Sequence, residues 1–159
     1  MLQPARRALV ALAFSVSALL PMLASPVQAA EPKYAAIVVD ANSGEVLYEN
    51  RPDSPRYPAS ITKVMTMYLA FEALAEGKLK LTDTISISPR AASMPATKLG
   101  LRAGETISVD DALRSLAVQS ANDMAVAVAE KIGGTEARFA ALMTLRGQEL
   151  GMAHTRFVN

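Results

Sequence analysis

The segment from Asp123 to Ile132 reads as a helix whose centre, Met124-Ala125-Val126-Ala127-Val128-Ala129, is apolar almost all round. A surface helix shows one apolar stripe and one polar face, whereas a helix without a polar face runs through a core. The rest of the chain must therefore supply cover on several sides. With 159 residues there is room for one domain of ordinary size.

Part of the apolar content lies outside any fold. Arg6 and Arg7 precede a mostly apolar, uncharged run from Ala8 to Leu23, and a small-residue end, Ser25-Pro26-Val27-Gln28-Ala29-Ala30, comes next. That order of basic, apolar and small predicts a secretory signal peptide over residues 1–29, cleaved after Ala29, and export to the periplasm or cell envelope. A retained anchor fits less well, because Pro21 and Pro26 interrupt the run and no basic cluster comes after it. The chain has 16 basic and 15 acidic residues, and loss of Arg6 and Arg7 with the leader leaves 14 against 15, about neutral. No basic block survives, so nucleic acid is not an expected partner. With no cysteine and the single histidine His154, thiolate and histidine-rich metal sites are excluded, and no metal or organic cofactor is expected.

Residues 34–50 predict a β-hairpin: Ala36–Val39, a turn over Asp40-Ala41-Asn42-Ser43-Gly44, and a return over Glu45–Glu49. The turn begins like a calcium loop, but the twelfth position is Arg51, where a carboxylate is needed. Residues 51–58 form a connector with three prolines. A helix is expected from about Ser60, with Ile61, Val64, Met65, Tyr68 and Leu69 as its apolar stripe and Gly77 at its end. Thr84–Ser88 alternates like a strand. Residues 89–104 read as a loop with a short strand near Lys98–Leu101. Ser108 caps a helix that buries Val109, Ala112, Leu113, Leu116 and Ala117, with Asp110 and Asp111 in its first turn. After a break at 119–121 comes the apolar helix, ended by Gly133-Gly134, and Thr135 caps a last one running to about Leu150.

Two short motifs carry chemistry. In Ser60-Ile61-Thr62-Lys63 a hydroxyl at the opening of a helix has an amine one turn on, on nearly the same face. The helix N-terminus favours negative charge near Ser60, and burial of Lys63 favours the neutral amine that a general base requires. By itself the motif is equally an N-cap beside a surface lysine. Ser120-Ala121-Asn122, in the break before the apolar helix, adds two polar side chains. Their structural alternative is that they cap the helix beginning at Asp123.

Together S-x-x-K and S-x-N resemble the penicillin-binding proteins and related β-lactamases. Pro58-Ala59-Ser60-Ile61-Thr62-Lys63-Val64-Met65-Thr66 is similar, nearly residue for residue, to the segment found in low-molecular-mass D-alanyl-D-alanine carboxypeptidases. Leu116–Asp123 is similar to their second motif, and Val39–Leu47 and Thr155–Asn159 also resemble that family, so the likeness covers residues 34–159. It implies the penicillin-recognising α/β (α+β) fold, an antiparallel sheet flanked by helices. It implies Ser60 as acylated nucleophile, Lys63 as general base, Ser120 as proton relay to the leaving group, and Asn122 as binder of the substrate amide. The implied partners are the peptidoglycan stem peptide, as substrate, and β-lactam antibiotics, as inhibitors.

The family's third motif, K-T-G, does not occur, since Lys98-Leu99-Gly100 precedes S-x-N and lacks the hydroxyl. The expectation is therefore of the N-terminal part, residues 30–159, of a D,D-peptidase domain truncated before its last strands. Such a piece is expected to be inactive alone, with any membrane association left to a segment C-terminal to Asn159. A D,D-endopeptidase shares both motifs. A class A β-lactamase has S-D-N and an E-x-x-L-N segment that is not found here. A non-catalytic envelope module draws its support from the missing K-T-G. A Ser-His-Asp hydrolase is set aside, because His154 lies in an expected turn after the last helix.

Overall fold

A computed structural model describes residues 34–158, which form two separate compact units divided after Arg56. The expected signal peptide at 1–29 lies outside the described residues.

In the first unit, β1 (Ala36–Val39) and β2 (Val46–Asn50) form the expected antiparallel hairpin, with a register shift between Val38 and Val39. Its turn is closed by Asp40. One carboxylate oxygen accepts from Asn42 N at 3.0 Å, Ser43 N at 2.8 Å and Ser43 Oγ at 2.9 Å. These bonds, the Ser43 backbone first, hold the Asp40 carboxyl below its ordinary pKa. Gly44, at φ 75°, takes the left-handed position of the turn.

The second unit opens with a 3₁₀ turn, Ala59–Ile61, that runs into helix α1 (Thr62–Ala75). Gly77 ends α1 as expected: at φ 69° its N–H bonds to Leu74 O and the N–H of Lys78 to Ala73 O, the Schellman pattern. The buried face of α1 differs from the expected stripe. Met65, Thr66 and Ala70 are buried, whereas Ile61, Val64 and Tyr68 are exposed among the described residues. The side toward the apolar helix is set by packing, which a periodicity over nearly continuous apolar sequence does not resolve.

Strand β3 (Thr84–Ser86) pairs antiparallel with β4 (Thr106–Ser108), which directly enters helix α3 (Val109–Gln119). Between them Pro89–Ala92 forms a one-turn helix, α2, in place of the expected loop. Ser88 caps it by accepting from Ala91 N, and Pro89 sits at a position that needs no N–H. The strand expected at Lys98–Leu101 does not form, because the N–H groups of Leu99 and Gly100 donate to the Asp123 carboxylate instead of a ladder. In α3, Ser108 accepts from Asp111 N and the predicted face is buried except for Ala117, which is exposed.

Helix α4 (Asn122–Gly133) is the axis of this unit. Met124, Val126, Ala127 and Val128 join the larger core with Ile85, Ile87, Val109, Leu113 and Leu116, while Ala129 joins Met65, Phe139 and Met143 in a second cluster. The last helix, α5 (Glu136–Glu149), begins at the Thr135 cap. Arg146 on α5 reaches Glu72 on α1 at 2.9 Å and also pairs with Glu149.

The corner between α4 and α5 requires a residue without a side chain. A Cβ at Gly133 would lie 2.8 Å from Phe139 Cβ and 2.9 Å from Phe139 N, and neither Phe139, buried at 2 % exposure, nor its backbone has room to yield. Gly133→Ala is expected to destabilise the protein by about 1–3 kcal/mol through overpacking. Urea unfolding should show a lower midpoint at unchanged slope.

Candidate active site

Three of the four residues singled out in the sequence meet at one point. The Lys63 Nζ on the first turn of α1 donates to Ser120 O at 2.7 Å, Ser120 Oγ at 3.0 Å and Asn122 Oδ1 at 2.6 Å. Neither Ser120 nor Asn122 therefore serves as the N-cap of α4. The cap position of α4 is Ala121, and no side chain bonds there. The N–H of Asn122 is satisfied by Thr97 O at 2.8 Å, and the Asn122 Nδ2 donates to Pro95 O at 3.0 Å. Of the two ends of the Asn122 amide, the nitrogen faces Pro95 and the oxygen faces the lysine.

Ser60 lies in the 3₁₀ turn, exposed, three residues before Lys63. Among the described residues no hydrogen bond joins Ser60 to Lys63, and the amine is turned instead toward the α3–α4 corner. A lysine docked in this way keeps the hydroxyl accessible and is held within one helical turn of it. The N–H groups at a helix start have no intrahelical acceptor, so that of Ser60 belongs to a set suited to developing negative charge.

Two non-glycine residues at the site adopt left-handed backbone: Ser120 at φ 56° and Ala59, beside Ser60, at φ 49°. Each such residue is disfavoured by roughly 1–2 kcal/mol, and strain of this kind collects where geometry is held for function. At Ser120 the left-handed turn ends α3, with Ser120 N bonded to Leu116 O at 3.1 Å and Ala121 N to Ser115 O at 3.3 Å. It brings the carbonyl and the hydroxyl of Ser120 together onto Lys63.

Asp123, Thr97 and Pro95 also belong to the site, although sequence reasoning does not single them out. Asp123 is fully buried and accepts from Leu99 N at 3.0 Å, Gly100 N at 2.8 Å and Met124 N at 2.9 Å. Its signal was available: a carboxylate opening an all-apolar helix must find partners beyond that helix. The exposed His154 lies in a turn, apart from this cluster, and among the described residues no group of histidine and acidic side chains is placed to hold a metal.

Burial pushes the Lys63 amine below the ordinary lysine value of 10.5. Its three acceptors match the three protons of an ammonium, but all are neutral and provide no counter-charge, so desolvation sets the direction. With the folded pKa depressed, folding releases a proton at pH values between that pKa and 10.5. The associated stability is present above 10.5 and is lost as pH falls through the folded pKa. Denaturant unfolding over that alkaline window should show stability rising with pH in the parent more steeply than in Lys63→Met.

Comparison with known proteins places this constellation. The family model for D-alanyl-D-alanine carboxypeptidase matches residues 24–159. The D-alanyl-D-alanine carboxypeptidase DacF of Bacillus subtilis is 40 % identical over 124 residues, which is 78 % of this chain and 32 % of the relative. The crystal structure of the D-alanyl-D-alanine carboxypeptidase DacD from Francisella tularensis superposes with a TM-score of 0.77 at 35 % identity, covering 85 % of this chain and 33 % of that one. Penicillin-binding protein D2 from Listeria monocytogenes, in its ampicillin-bound form, gives a TM-score of 0.69 at 31 % identity over 79 % of this chain and 50 % of that one. The chain spans about a third of the length of the curated relatives it matches. With both motifs, their geometry and the family match in agreement, the chain belongs to the D-alanyl-D-alanine carboxypeptidase family of serine peptidases, with the fold of the penicillin-binding proteins.

Proposed function

We propose that this chain carries the acylation machinery of a serine D-alanyl-D-alanine carboxypeptidase that removes the terminal D-alanine from peptidoglycan stem peptides. The observation that carries the reading is the three-way docking of Lys63 on Ser120 and Asn122, one helical turn from an exposed Ser60. In the reaction, Ser60 Oγ attacks the carbonyl carbon of the penultimate D-alanine while its proton passes to the neutral Lys63 amine. The oxyanion is met in part by the Ser60 N–H. Ser120 Oγ, hydrogen-bonded to Lys63, passes a proton to the departing nitrogen, the C–N bond breaks and D-alanine leaves. Water then hydrolyses the Ser60 ester. Asn122 keeps one Nδ2 hydrogen beyond its bond to Pro95, which is available to the carbonyl of the substrate's amide. A β-lactam offers Ser60 a strained amide in the same place, so penicillins are expected inhibitors. The ampicillin-bound form of the Listeria relative is in keeping with this.

Labelling of the full-length protein by a fluorescent penicillin tests the assignment. Ser60→Ala should abolish the label, and Lys63→Ala should slow it by about 10²–10⁴-fold, with the fold retained, because the base is removed and the nucleophile kept. Ser60→Ala labelling at the parental rate would place the nucleophile elsewhere.

The substrate is extracellular, and the basic, apolar and small order of residues 1–29 supports export to the periplasm. The mature N-terminus is expected at Ala30 or within one or two residues of it. Mass spectrometry of the exported protein checks this, and an intact Met1 end would count against it.

A further inference from the structure

Among the described residues Asp123 is the one fully buried carboxylate, and none of the ion pairs includes it. An uncompensated buried carboxylate is strongly disfavoured, so its hydrogen-bond partners are held firmly. Two of those partners, Leu99 N and Gly100 N, belong to one irregular segment, residues 95–100. That segment also supplies Pro95 O to Asn122 Nδ2, Thr97 O to Asn122 N, and the Thr97 hydroxyl to Ser120 O at 3.2 Å. Ser120 O and Asn122 Oδ1 are in turn two of the three acceptors of Lys63. A connected path results: carboxylate, segment, Asn122 amide, lysine.

The geometry points to Asp123 as a positioning residue for acylation, acting through residues 95–100 to fix which end of the Asn122 amide faces Lys63. The two ends of a carboxamide differ little in shape, and only the Pro95 carbonyl tells them apart on the outer side. With the segment clamped, the nitrogen is held outward and the oxygen meets the amine. With the clamp loosened, the reversed amide sets donor against donor at Lys63. This role rests on the proposed acylation chemistry, and penicillin labelling of the parent and of Asp123 variants separates the two.

In Asp123→Asn one oxygen becomes an NH₂ that faces a backbone N–H, so at least one clamp bond is lost. In the full-length protein the rate constant of labelling by a fluorescent penicillin should fall on the order of 10- to 100-fold, while the final labelled fraction stays at the parental level. Asn122→Ala should also slow labelling, and the double variant should be no slower than the slower single one, since both act on the same contact. The Asn122 side-chain amide resonance should shift in Asp123→Asn. Gly100→Ala provides the same test from the solvent side should Asp123→Asn fail to fold. Open space surrounds Gly100, but its φ of 91° is strained for alanine, so its N–H tilts away from Asp123. It too should slow labelling, again without adding to Asn122→Ala.

A labelled fraction that falls while the rate constant holds would reduce Asp123 to a fold-stabilising residue and overturn the proposal. Effects that multiply in the double variant would overturn it as well. A parental protein that penicillin does not label would remove the underlying chemistry and the positioning role together. A labelled parent with an unimpaired, folded Asp123→Asn defeats the positioning role alone.

Discussion

Through its centre helix Asn122–Gly133 is apolar on nearly every side, and the second unit is organised around that fact. Its flanks divide the apolar interior into two clusters, one shared with α3 and the β3–β4 pair, the other with α1 and α5. The close approach of Phe139 to Gly133 seats α5, while Met65 and Ala70 bring α1 into the packing. The same helix carries Asn122 at its first position, two residues after Ser120, so the element that demands burial also fixes half of the site. The lysine arrives from α1, which packs on this axis, and the juxtaposition of S-x-x-K with S-x-N is thereby a consequence of core packing.

Electrostatically the site is built without a counter-ion for Lys63, its proposed base. Neutral oxygens replace the water around the Lys63 amine, and no carboxylate pairs with it among the described residues. A carboxylate partner would hold the proton on the amine and defeat its use as a base. The nearest acid in sequence to Ser120 and Asn122, Asp123, is instead consumed by three backbone N–H groups and serves structure. Two ionisable groups in one corner of the fold are thus kept to different tasks by what surrounds each.

Much of this is legible from the residues. The hairpin, the Ser108 and Thr135 caps and the glycine stop at Gly77 obey local rules, because each depends on contacts within a short stretch of chain. The pairing of Ser60 with Lys63 is readable from helical spacing, whereas the proposed roles of Ser120 and Asn122 come from resemblance, since contacts 57 and 59 residues apart leave no periodic trace. Sequence reasoning fails where tertiary partners override local preference. Lys98–Leu101 has no strand because Asp123 takes its donors, and Ile61, Val64 and Tyr68 are not the buried stripe because α4 selects the adjoining face. Residues 89–92 read as loop and form a helical turn, which Pro89 can open because the first position of a helix needs no N–H.

Of the three oxygens around Lys63, one is the carbonyl of Ser120 and belongs to the backbone. No substitution at position 120 deletes that atom, provided the left-handed turn persists. The lysine can thus remain docked after the hydroxyl beside it has been replaced. Shape and chemistry are inherited separately at this corner, so a descendant that has lost the hydroxyl proposed as proton relay would keep the outline of the site. In this fold an intact-looking arrangement around the lysine is weaker testimony to turnover than the identity of one side chain beside it.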